Sequence, residues 1–241
     1  MSGQSEVVFF KSDDPKVTAA AKNAQESFRW FWYQVASDFN RIVPSASFSM
    51  IKAAFCDDFN DPDASVEHMF VDSVFFDGET IHGILRSDPN WVQSVKDGDE
   101  VTLTLDRVGD WICEAADVVY GGFAVQVIRS QMSPDERASH DEAWGLDFPE
   151  IGVNHIPERS PKFESMINGH LKKALAKDPE ILTTTDENLR TPLHNEALFG
   201  RLETTKTLLE HGADATAKCD RGWTPADYAK AVGFNEVAKL L

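Results

Sequence analysis

A repeat with a period of 33 residues near the end of the chain constrains its fold more than any other feature of the sequence. The segment TPLH at residues 191–194 returns as TPAD at residues 224–227, and Gly200 returns as Gly233 at the same offset. Threonine followed by proline is typical of a helix start, and glycine of a helix end. Each period therefore predicts a pair of helices, and such units are stable when neighbours stack and share a core.

The period and the TPLH motif resemble those of ankyrin repeats. The resemblance covers residues 186–241, and residues 165–185 are similar to a degenerate first repeat. It implies an all-α domain over residues 162–241, made of a degenerate cap and two repeats, which binds a protein partner. With about two and a half units, the array is near the minimum for independent stability. We therefore expect it to lean on the preceding domain or on a partner.

Ankyrin repeats contact their partners through variable positions in the β-turn finger and at the end of the first helix. Carried over in register, the resemblance places the partner-binding positions at Asn188, Arg190, Phe199, Arg221 and Trp223. Tryptophan and arginine often dominate protein interfaces. We expect these side chains to contact either a protein partner or the first domain. Leu189 departs from the family, which usually has glycine at this position of the finger.

The first 148 residues show the mixed pattern of an α+β domain. Asp14 and Pro15 predict the start of a helix over residues 16–38. Its apolar side chains recur at three- and four-residue spacing and predict a buried stripe of Ala20, Ala24, Phe28, Phe31 and Val35. Trp30, Trp32 and Tyr33 make the same helix aromatic on more than one face.

Alternating or short apolar segments predict the strands of a mainly antiparallel sheet. They lie at residues 47–55, 66–76, 80–85, 101–105, 111–114 and 123–129. The Asp-Gly pair at residues 77–78 predicts a hairpin. We expect one long helix packed on five or six strands, with one or two helical turns at residues 90–95.

Two further segments follow the predicted sheet. A capping box at residues 133–136 predicts a short helix that continues to about residue 143. Residues 149–161 contain several prolines and predict a linker that can pack on the first domain. The predicted organisation is therefore an α+β domain at residues 1–148, a linker, and the repeats.

Several short motifs of the first domain occur in a fixed order, namely EHMFV at residues 67–71, GIL at 83–85, DP at 88–89, GDW at 109–111 and GGF at 121–123. Their order and spacing are similar to those of the YegJ-like family of bacterial domains, over residues 15–130. Phe70 and Ser87 stand where that family has tryptophan and asparagine. The resemblance implies a compact α+β domain without an established activity. By association it also points to bacterial conflict systems, in which small domains and ankyrin proteins act as immunity factors.

The net charge of −17 is concentrated in one part of the chain. Residues 51–150 hold 22 acidic and 6 basic side chains, whereas residues 151–241 are nearly balanced with 13 and 12. Such a region repels a phosphate backbone, which argues against a nucleic-acid partner. It would attract a basic protein and accelerate its association. The alternative is an ordinary acidic surface that only keeps the protein soluble.

The composition gives no indication of a membrane or secreted protein. No apolar run approaches the roughly 18–20 residues that span a bilayer, and the first residues lack the pattern of a signal peptide. Cys56, Cys113 and Cys219 lie far apart and lack the spacing of a metal site. We expect a cytoplasmic protein with reduced thiols.

The candidate residues for chemistry in the first domain are Glu67, His68, His82, Asp110 and Trp111. A histidine beside a carboxylate can act as a general acid or base. Alternation places Glu67 and His68 on opposite faces of one strand, and a hairpin at residues 77–79 would let His82 approach that strand. The alternative is that Glu67 and Asp110 hold turns or strand ends by hydrogen bonds.

The sequence contains no phosphate-binding loop, nucleophile elbow or metal-spaced cluster of cysteine and histidine. The acidic loop at residues 57–63 lacks the glycine and the distal glutamate of an EF-hand calcium loop. We therefore predict no catalytic residue, cofactor or metal.

The function that the sequence predicts is a non-enzymatic protein-binding factor of the bacterial cytoplasm. Its finer form is an immunity-type protein that neutralises a basic toxin or effector. One alternative is a small-ligand-binding or hydrolytic domain that the repeats target to a partner. Another is a scaffold in which the repeats only buttress the first domain.

Overall fold

The computed structural model describes residues 14–39, 41, 44–61 and 63–241. The expectation about a signal peptide concerns residues 1–13, which lie outside the described residues. A long helix, α1 (Pro15–Asp38), packs on an antiparallel sheet that has six strands within the described residues. The strands are β1 (Ala46–Phe55), β2 (Glu67–Phe76), β3 (Thr80–Leu85), β4 (Glu100–Thr104), β5 (Val108–Ala115) and β6 (Val118–Gly121). Their order in the sheet is β4-β3-β2-β1-β5-β6. The α+β prediction for this part of the chain is confirmed.

Helix α1 begins where the sequence predicts, because the Asp14 carboxylate accepts a hydrogen bond from the Lys16 backbone N–H at 2.8 Å. The five residues of the predicted stripe are all buried. The Trp111 indole of β5 donates to the Ala24 carbonyl at 3.0 Å. Its ring centroid lies 5.5 Å from that of Phe31. These contacts fix the helix against β5.

Residues 123–129 form a helix, α2 (Phe123–Arg129), and the prediction of a strand there is wrong. Gly122 has φ 66°, in the left-handed region, and turns the chain out of the sheet. The Asp110 carboxylate then accepts the backbone N–H groups of the first three helical residues at 2.8–3.3 Å. The last strand is instead β6, which is only 4 residues long and was missed in the sequence.

Residues 90–95 form neither helix nor strand, so the helical turns predicted there are wrong. Their backbone N–H groups donate to two carboxylates, one in the loop that follows β1 and one at the first residue of β2. Glu67 accepts from residues 90–92, and Asp57 accepts from residues 93 and 94, at 2.8–3.1 Å. Because these side chains satisfy the donors, the segment needs no helical hydrogen bonds.

The predicted capping box starts α3 (Pro134–Trp144). Residues 145–160, beyond it, contain neither helix nor strand but pack on the first domain. The Gly121 N–H of β6 donates to the His155 carbonyl at 2.9 Å. Phe148 joins an apolar cluster on the face of the sheet opposite α1.

The C-terminal region is helical and stacks as the 33-residue period predicts. Its elements are α4 (Pro161–Lys177), a 3-10 turn (Pro179–Thr183), α5 (Pro192–Leu198), α6 (Leu202–Glu210), α7 (Pro225–Val232) and α8 (Asn235–Ala238). Helix α4 packs on α6, and α5 packs on α7. Among all the described residues, no helix is both long and apolar enough to cross a membrane.

The TPLH motif forms a hydrogen-bonded turn. His194 Nδ1 accepts the Thr191 N–H at 3.0 Å, and Nε2 lies 3.1 Å from the Trp223 carbonyl of the next repeat. Burial lowers the pKa of His194, which favours the neutral ring that this acceptor requires. In the second repeat Asp227 replaces the histidine, and its carboxylate accepts the Thr224 N–H at 2.9 Å. Two different side chains close the same turn, which explains why the motif tolerates the exchange.

The first finger contains an unusual backbone conformation. Leu189 has φ 56°, and its counterpart one period later, Gly222, has φ 76°. A side chain in the left-handed region costs about 1–2 kcal/mol, which glycine avoids. The Leu189 side chain is 53% exposed, so its burial offsets little of this strain.

We expect Leu189→Gly to be more stable than Leu189→Ala by about 1 kcal/mol, because alanine keeps the left-handed strain that glycine lacks. Both variants lose the same exposed leucine side chain, so their difference isolates the backbone contribution. Urea unfolding followed by circular dichroism measures the two free energies. Equal stabilities would show that residue 189 does not strain the turn.

Candidate functional site

The surface of the repeats that ankyrin proteins use for binding lies partly against the first domain. Leu198 at the end of α5 and Phe234 before α8 belong to the same buried cluster as Phe31 and Trp32 of α1. The Trp30 ring centroid lies 6.0 Å from that of Phe234. The two parts of the chain therefore share one apolar core.

Trp32 is the central side chain of this contact and is fully buried. Its indole N–H donates to the Leu198 carbonyl at 2.9 Å, which satisfies one of the carbonyls that the end of α5 leaves unpaired. Its ring lies 6.0 Å from that of Phe199. Full burial of one such aromatic side chain contributes about 1.5–3 kcal/mol, so apolar contact dominates this junction.

Buried polar groups are paired across the same junction. The Arg201 guanidinium donates to the Ala36 carbonyl of α1 at 2.9 Å. The Tyr33 hydroxyl donates to the Glu164 carboxylate of α4 at 2.9 Å, and burial together with this carboxylate raises the pKa of Tyr33. The second oxygen of Glu164 accepts the Glu203 N–H at 3.1 Å. The first two bonds link α1 to the repeats and favour one relative position of the two, and the third holds the Glu164 acceptor in place.

The second finger contacts the hairpin between β2 and β3. Arg221 forms an ion pair with Asp77, and its guanidinium also lies 3.7 Å from Glu79. A Cβ atom at Gly78 would lie 3.0 Å from the Tyr228 ring and 3.3 Å from the Trp223 ring. Only a residue without a side chain lets the hairpin approach these rings so closely.

The Asp77 carboxylate is held by several donors. Its Oδ1 accepts the backbone N–H groups of Glu79 and Thr80 at 2.9 and 2.7 Å, and Arg221 binds its Oδ2. Burial by itself would raise the pKa of Asp77, but the hydrogen bonds and the positive charge of Arg221 outweigh it and lower that pKa to about 2. The ionised carboxylate therefore stabilises the contact between hairpin and finger.

The structure separates the five predicted partner-binding residues into two groups. Phe199, Arg221 and Trp223 contact the first domain, which is one of the two roles expected for them. Asn188 and Arg190 lie in the first finger and are held within the array, since Arg190 donates to Asp186 at 2.8 Å and the Asn188 carbonyl accepts from the second finger. Binding of a separate partner by any of the five stays a prediction.

Sequence reasoning did not identify the residues that complete this contact on the other side. Asp77 belongs to the Asp-Gly pair that predicts the hairpin, and Arg201 follows Gly200, which recurs one period later, but neither position reveals its distant partner. The sequence does contain one indication that another segment covers α1, namely the aromatic side chains on more than one face of this helix. A helix that is apolar on several faces is covered from several directions.

The candidate residues for chemistry are not brought together. Glu67 is buried and His68, the next residue of β2, is exposed, as alternation predicts. The strand partner of His82 is Phe75, and the distance along β2 from Phe75 to His68 is roughly 20 Å. The hairpin therefore brings His82 to the strand that carries Glu67 and His68, as predicted, but to the opposite end of that strand.

The carboxylates of Glu67 and Asp110 bind backbone donors. Asp110 accepts the Trp111 N–H at 2.9 Å in addition to the first N–H groups of α2. Burial raises its pKa to about 6 although these bonds act in the opposite direction. For Glu67, burial would raise the pKa, but three backbone N–H groups and the Asn90 side chain hold it below its ordinary value. These hydrogen bonds match the structural role considered for both residues.

The two candidate histidines, His68 and His82, also lack a free carboxylate partner among the described residues. His82 Nε2 lies 3.7 Å from Asp77, but that carboxylate is bound by Arg221 and two backbone N–H groups. The side chain of His68 is exposed at the surface, but partial loss of hydration beside neighbouring atoms and the charge of Lys52 lower its pKa. Among the described residues no group of three or more histidine, cysteine or acidic side chains is placed to hold a metal ion.

Two surface depressions, of about 380 and 450 Å³, are lined by other residues. The first lies beside α4 and α6, and the second lies between the end of α1 and the bulged part of β2. Neither includes Glu67, His68, His82 or Asp110. The geometry therefore supports binding surfaces better than a site for acid–base chemistry.

Comparison with known families identifies both parts of the chain. A family model described as "Uncharacterized protein conserved in bacteria (DUF2314)" matches residues 14–148. A model of ankyrin repeats matches residues 175–229. These matches confirm the two resemblances that the sequence motifs indicated.

Individual relatives extend this result. A protein of Neisseria meningitidis serogroup B, named as an ankyrin repeat protein, is 31% identical over 250 residues that cover 100% of this chain and 98% of the relative. A serine/threonine-protein kinase of Arabidopsis thaliana is 41% identical over 63 residues, 26% of this chain and 14% of the relative. The human protein phosphatase 1 regulatory subunit 27 is 39% identical over 49 residues, 20% of this chain and 32% of the relative. Only the first of these three similarities extends across both parts of the chain.

The contact between Asp77 and Arg221 predicts a dependence of stability on pH. Because the pKa of Asp77 falls from 3.8 to about 2 on folding, its contribution is fully present above about pH 4 and is lost as pH falls toward 2. Asp77→Asn should lower the free energy of unfolding by about 2 kcal/mol at pH 7 and by much less near pH 2.

Urea unfolding at pH 7, 4 and 2.5 measures this difference. Asp72→Asn is the matched control, because Asp72 pairs with Arg86 at a more exposed position of the same sheet and should change stability by only about 0–1 kcal/mol. If Asp77→Asn lowers the free energy of unfolding by the same amount at all three pH values, the ionised Asp77 carboxylate does not have the role described here.

Proposed function

The chain belongs to the DUF2314 family of bacterial proteins and continues into ankyrin repeats, and from this premise we propose that it is a non-enzymatic protein-binding factor. Ankyrin repeats indicate interaction with proteins. The observation that carries the proposal is that the repeats hold the first domain through one part of their surface and leave another part exposed. In the first finger, Glu187 and Leu189 are exposed, whereas Arg221 and Trp223 of the second finger face the hairpin.

The charge of the first domain supports a basic partner. Buried or paired carboxylates, such as Asp77, Asp110 and Asp141, account for only part of its acidic residues. Many others are exposed, among them the aspartates of the loop at residues 57–63. A field of this sign increases the association rate of a positively charged protein and repels nucleic acid.

The finer form of the proposal is an immunity-type factor of the bacterial cytoplasm. In this role the acidic first domain attracts a basic toxin or effector, and the exposed finger contributes to its capture. The bound partner is neutralised because its own functional surface is covered. The hydrolytic or ligand-binding alternative has less support, since the carboxylate beside His82 is bound by Arg221 and backbone N–H groups, and Glu67 and Asp110 also bind backbone donors.

Affinity capture from the native cell, at about 50 mM and about 500 mM salt, tests this function. We expect a basic protein to be retained at low salt and largely released at high salt, because exposed charges are screened. The captured protein is then purified and titrated directly against the chain, to separate binding from co-purification.

The contribution of the first finger is tested with Glu187→Ala/Leu189→Ala. Met166→Ala/Glu180→Ala is the matched control, because it also removes one exposed apolar and one exposed acidic side chain. We expect the finger variant to weaken binding of the purified protein about ten-fold and the control to leave it unchanged. If wild type retains no protein at either salt concentration, the repeats would serve only to buttress the first domain.

A further inference from the structure

Two loops of the first domain carry large apolar side chains at the surface. They are residues 56–66, between β1 and β2, and residues 88–94, between β3 and β4. Trp91 is 50% exposed, Phe59 46% and Val66 47%. Clusters of exposed apolar side chains on a soluble domain mark interaction surfaces more often than isolated ones do.

The two loops are joined by hydrogen bonds, so these side chains lie in one region. Glu67, which follows Val66, accepts the Trp91 N–H at 2.9 Å. Asp57, two positions before Phe59, accepts the N–H groups of residues 93 and 94 at 2.8–2.9 Å. The same bonds hold the pKa of Asp57 below its ordinary value. The surface is therefore preformed, which reduces the entropy lost on binding.

Exposed aspartates lie in the same two loops as the apolar side chains. We call this surface the acidic-aromatic patch, and define it as Phe59, Val66 and Trp91 with the exposed Asp58, Asp61, Asp63 and Asp88. Residues 56–66 and 88–94 contain no lysine or arginine, and Arg86 and Lys96 lie on either side of the second segment. The guanidinium of Arg107 lies 4.0 Å from the centroid of the Phe59 ring.

The patch is separate from the contact with the repeats. Strand β2 begins at Glu67, beside the patch, and ends at Phe76, beside the hairpin that the second finger contacts. Ten residues of strand span roughly 30 Å. A protein bound at the patch would not need to displace the repeats.

We propose that the acidic-aromatic patch is the docking surface for an arginine-bearing segment of a basic protein, a proposal that rests on the basic partner of the proposed function. Arginine fits better than lysine, because its planar guanidinium stacks on an aromatic ring and also binds a carboxylate through two N–H groups. Arg107 over Phe59 shows that the patch already accommodates such a group. A second copy of the chain is a poor occupant, since its patch would bring aspartates against aspartates.

A fluorescent hexa-arginine peptide tests this chemistry, with hexa-lysine as the probe of equal charge. Fluorescence anisotropy at low salt should show tighter binding of hexa-arginine by wild type. Trp91→Ala should weaken hexa-arginine binding about ten-fold and remove the preference over hexa-lysine, because the stacking surface is lost. The Trp91 backbone N–H remains, so the bond to Glu67 is kept.

Two double variants test how much the carboxylates of the patch contribute to binding. Asp61→Asn/Asp63→Asn removes two charges from the patch, and Asp135→Asn/Glu142→Asn removes two exposed charges from α3. We expect the first pair to weaken hexa-arginine binding several-fold more than the second. Equal losses in both pairs, or equal binding of the two peptides by wild type, would overturn the proposal. Thermal unfolding of each variant checks that the fold is retained.

The proposal and the proposed function can fail separately. If the purified basic protein binds Trp91→Ala as tightly as wild type, the patch is wrong and the binding function stands. If wild type neither prefers hexa-arginine nor retains a basic protein, both are wrong. A concentration-dependent dimer in sedimentation velocity, lost in Trp91→Ala, would assign the patch to a second copy instead.

Discussion

Helix α1 is buried from two directions, and the arrangement of both parts of the chain depends on this burial. One side packs on β5, where Phe31 meets Trp111, and another meets the repeats, where Trp32 donates to Leu198. A helix that is apolar around much of its circumference is stable only when neighbours cover it from several directions. The repeats cover surface that the sheet leaves open. In return, α1 covers the helix ends of an array that is near its minimum length.

This mutual burial determines which surfaces remain for other molecules. The second finger and the ends of α5 and α7 are occupied within the chain by the 77–79 hairpin and by α1. Glu187 and Leu189 of the first finger and the acidic-aromatic patch stay exposed. Under the proposed function, a basic partner would therefore meet the first domain as much as the repeats, and the field of the acidic domain would guide its approach.

The elements predicted correctly from the sequence have strong local signals. Helix α1 has an N-cap and a regular apolar stripe, and the repeats have a period with a cap and a turn in each unit. The two wrong predictions, at residues 90–95 and 123–129, share one physical cause. In each, a carboxylate distant in sequence, Glu67 or Asp110, accepts the backbone N–H groups. A local pattern contains no information about such an acceptor, and the alternation in FAVQVIR fits a short helix as well as a strand.

An α+β domain followed by ankyrin repeats, and a negative charge concentrated in residues 51–150, can be predicted from the sequence, because caps, periods and charge are visible in short stretches of chain. The contact of Arg221 and Trp223 with the hairpin depends on the tertiary structure, and so do the bonds of Glu67 to backbone donors instead of a histidine. The reason is that burial and hydrogen-bond satisfaction are settled between segments far apart in the chain. The type and spacing of a residue do not specify which distant segment will cover it.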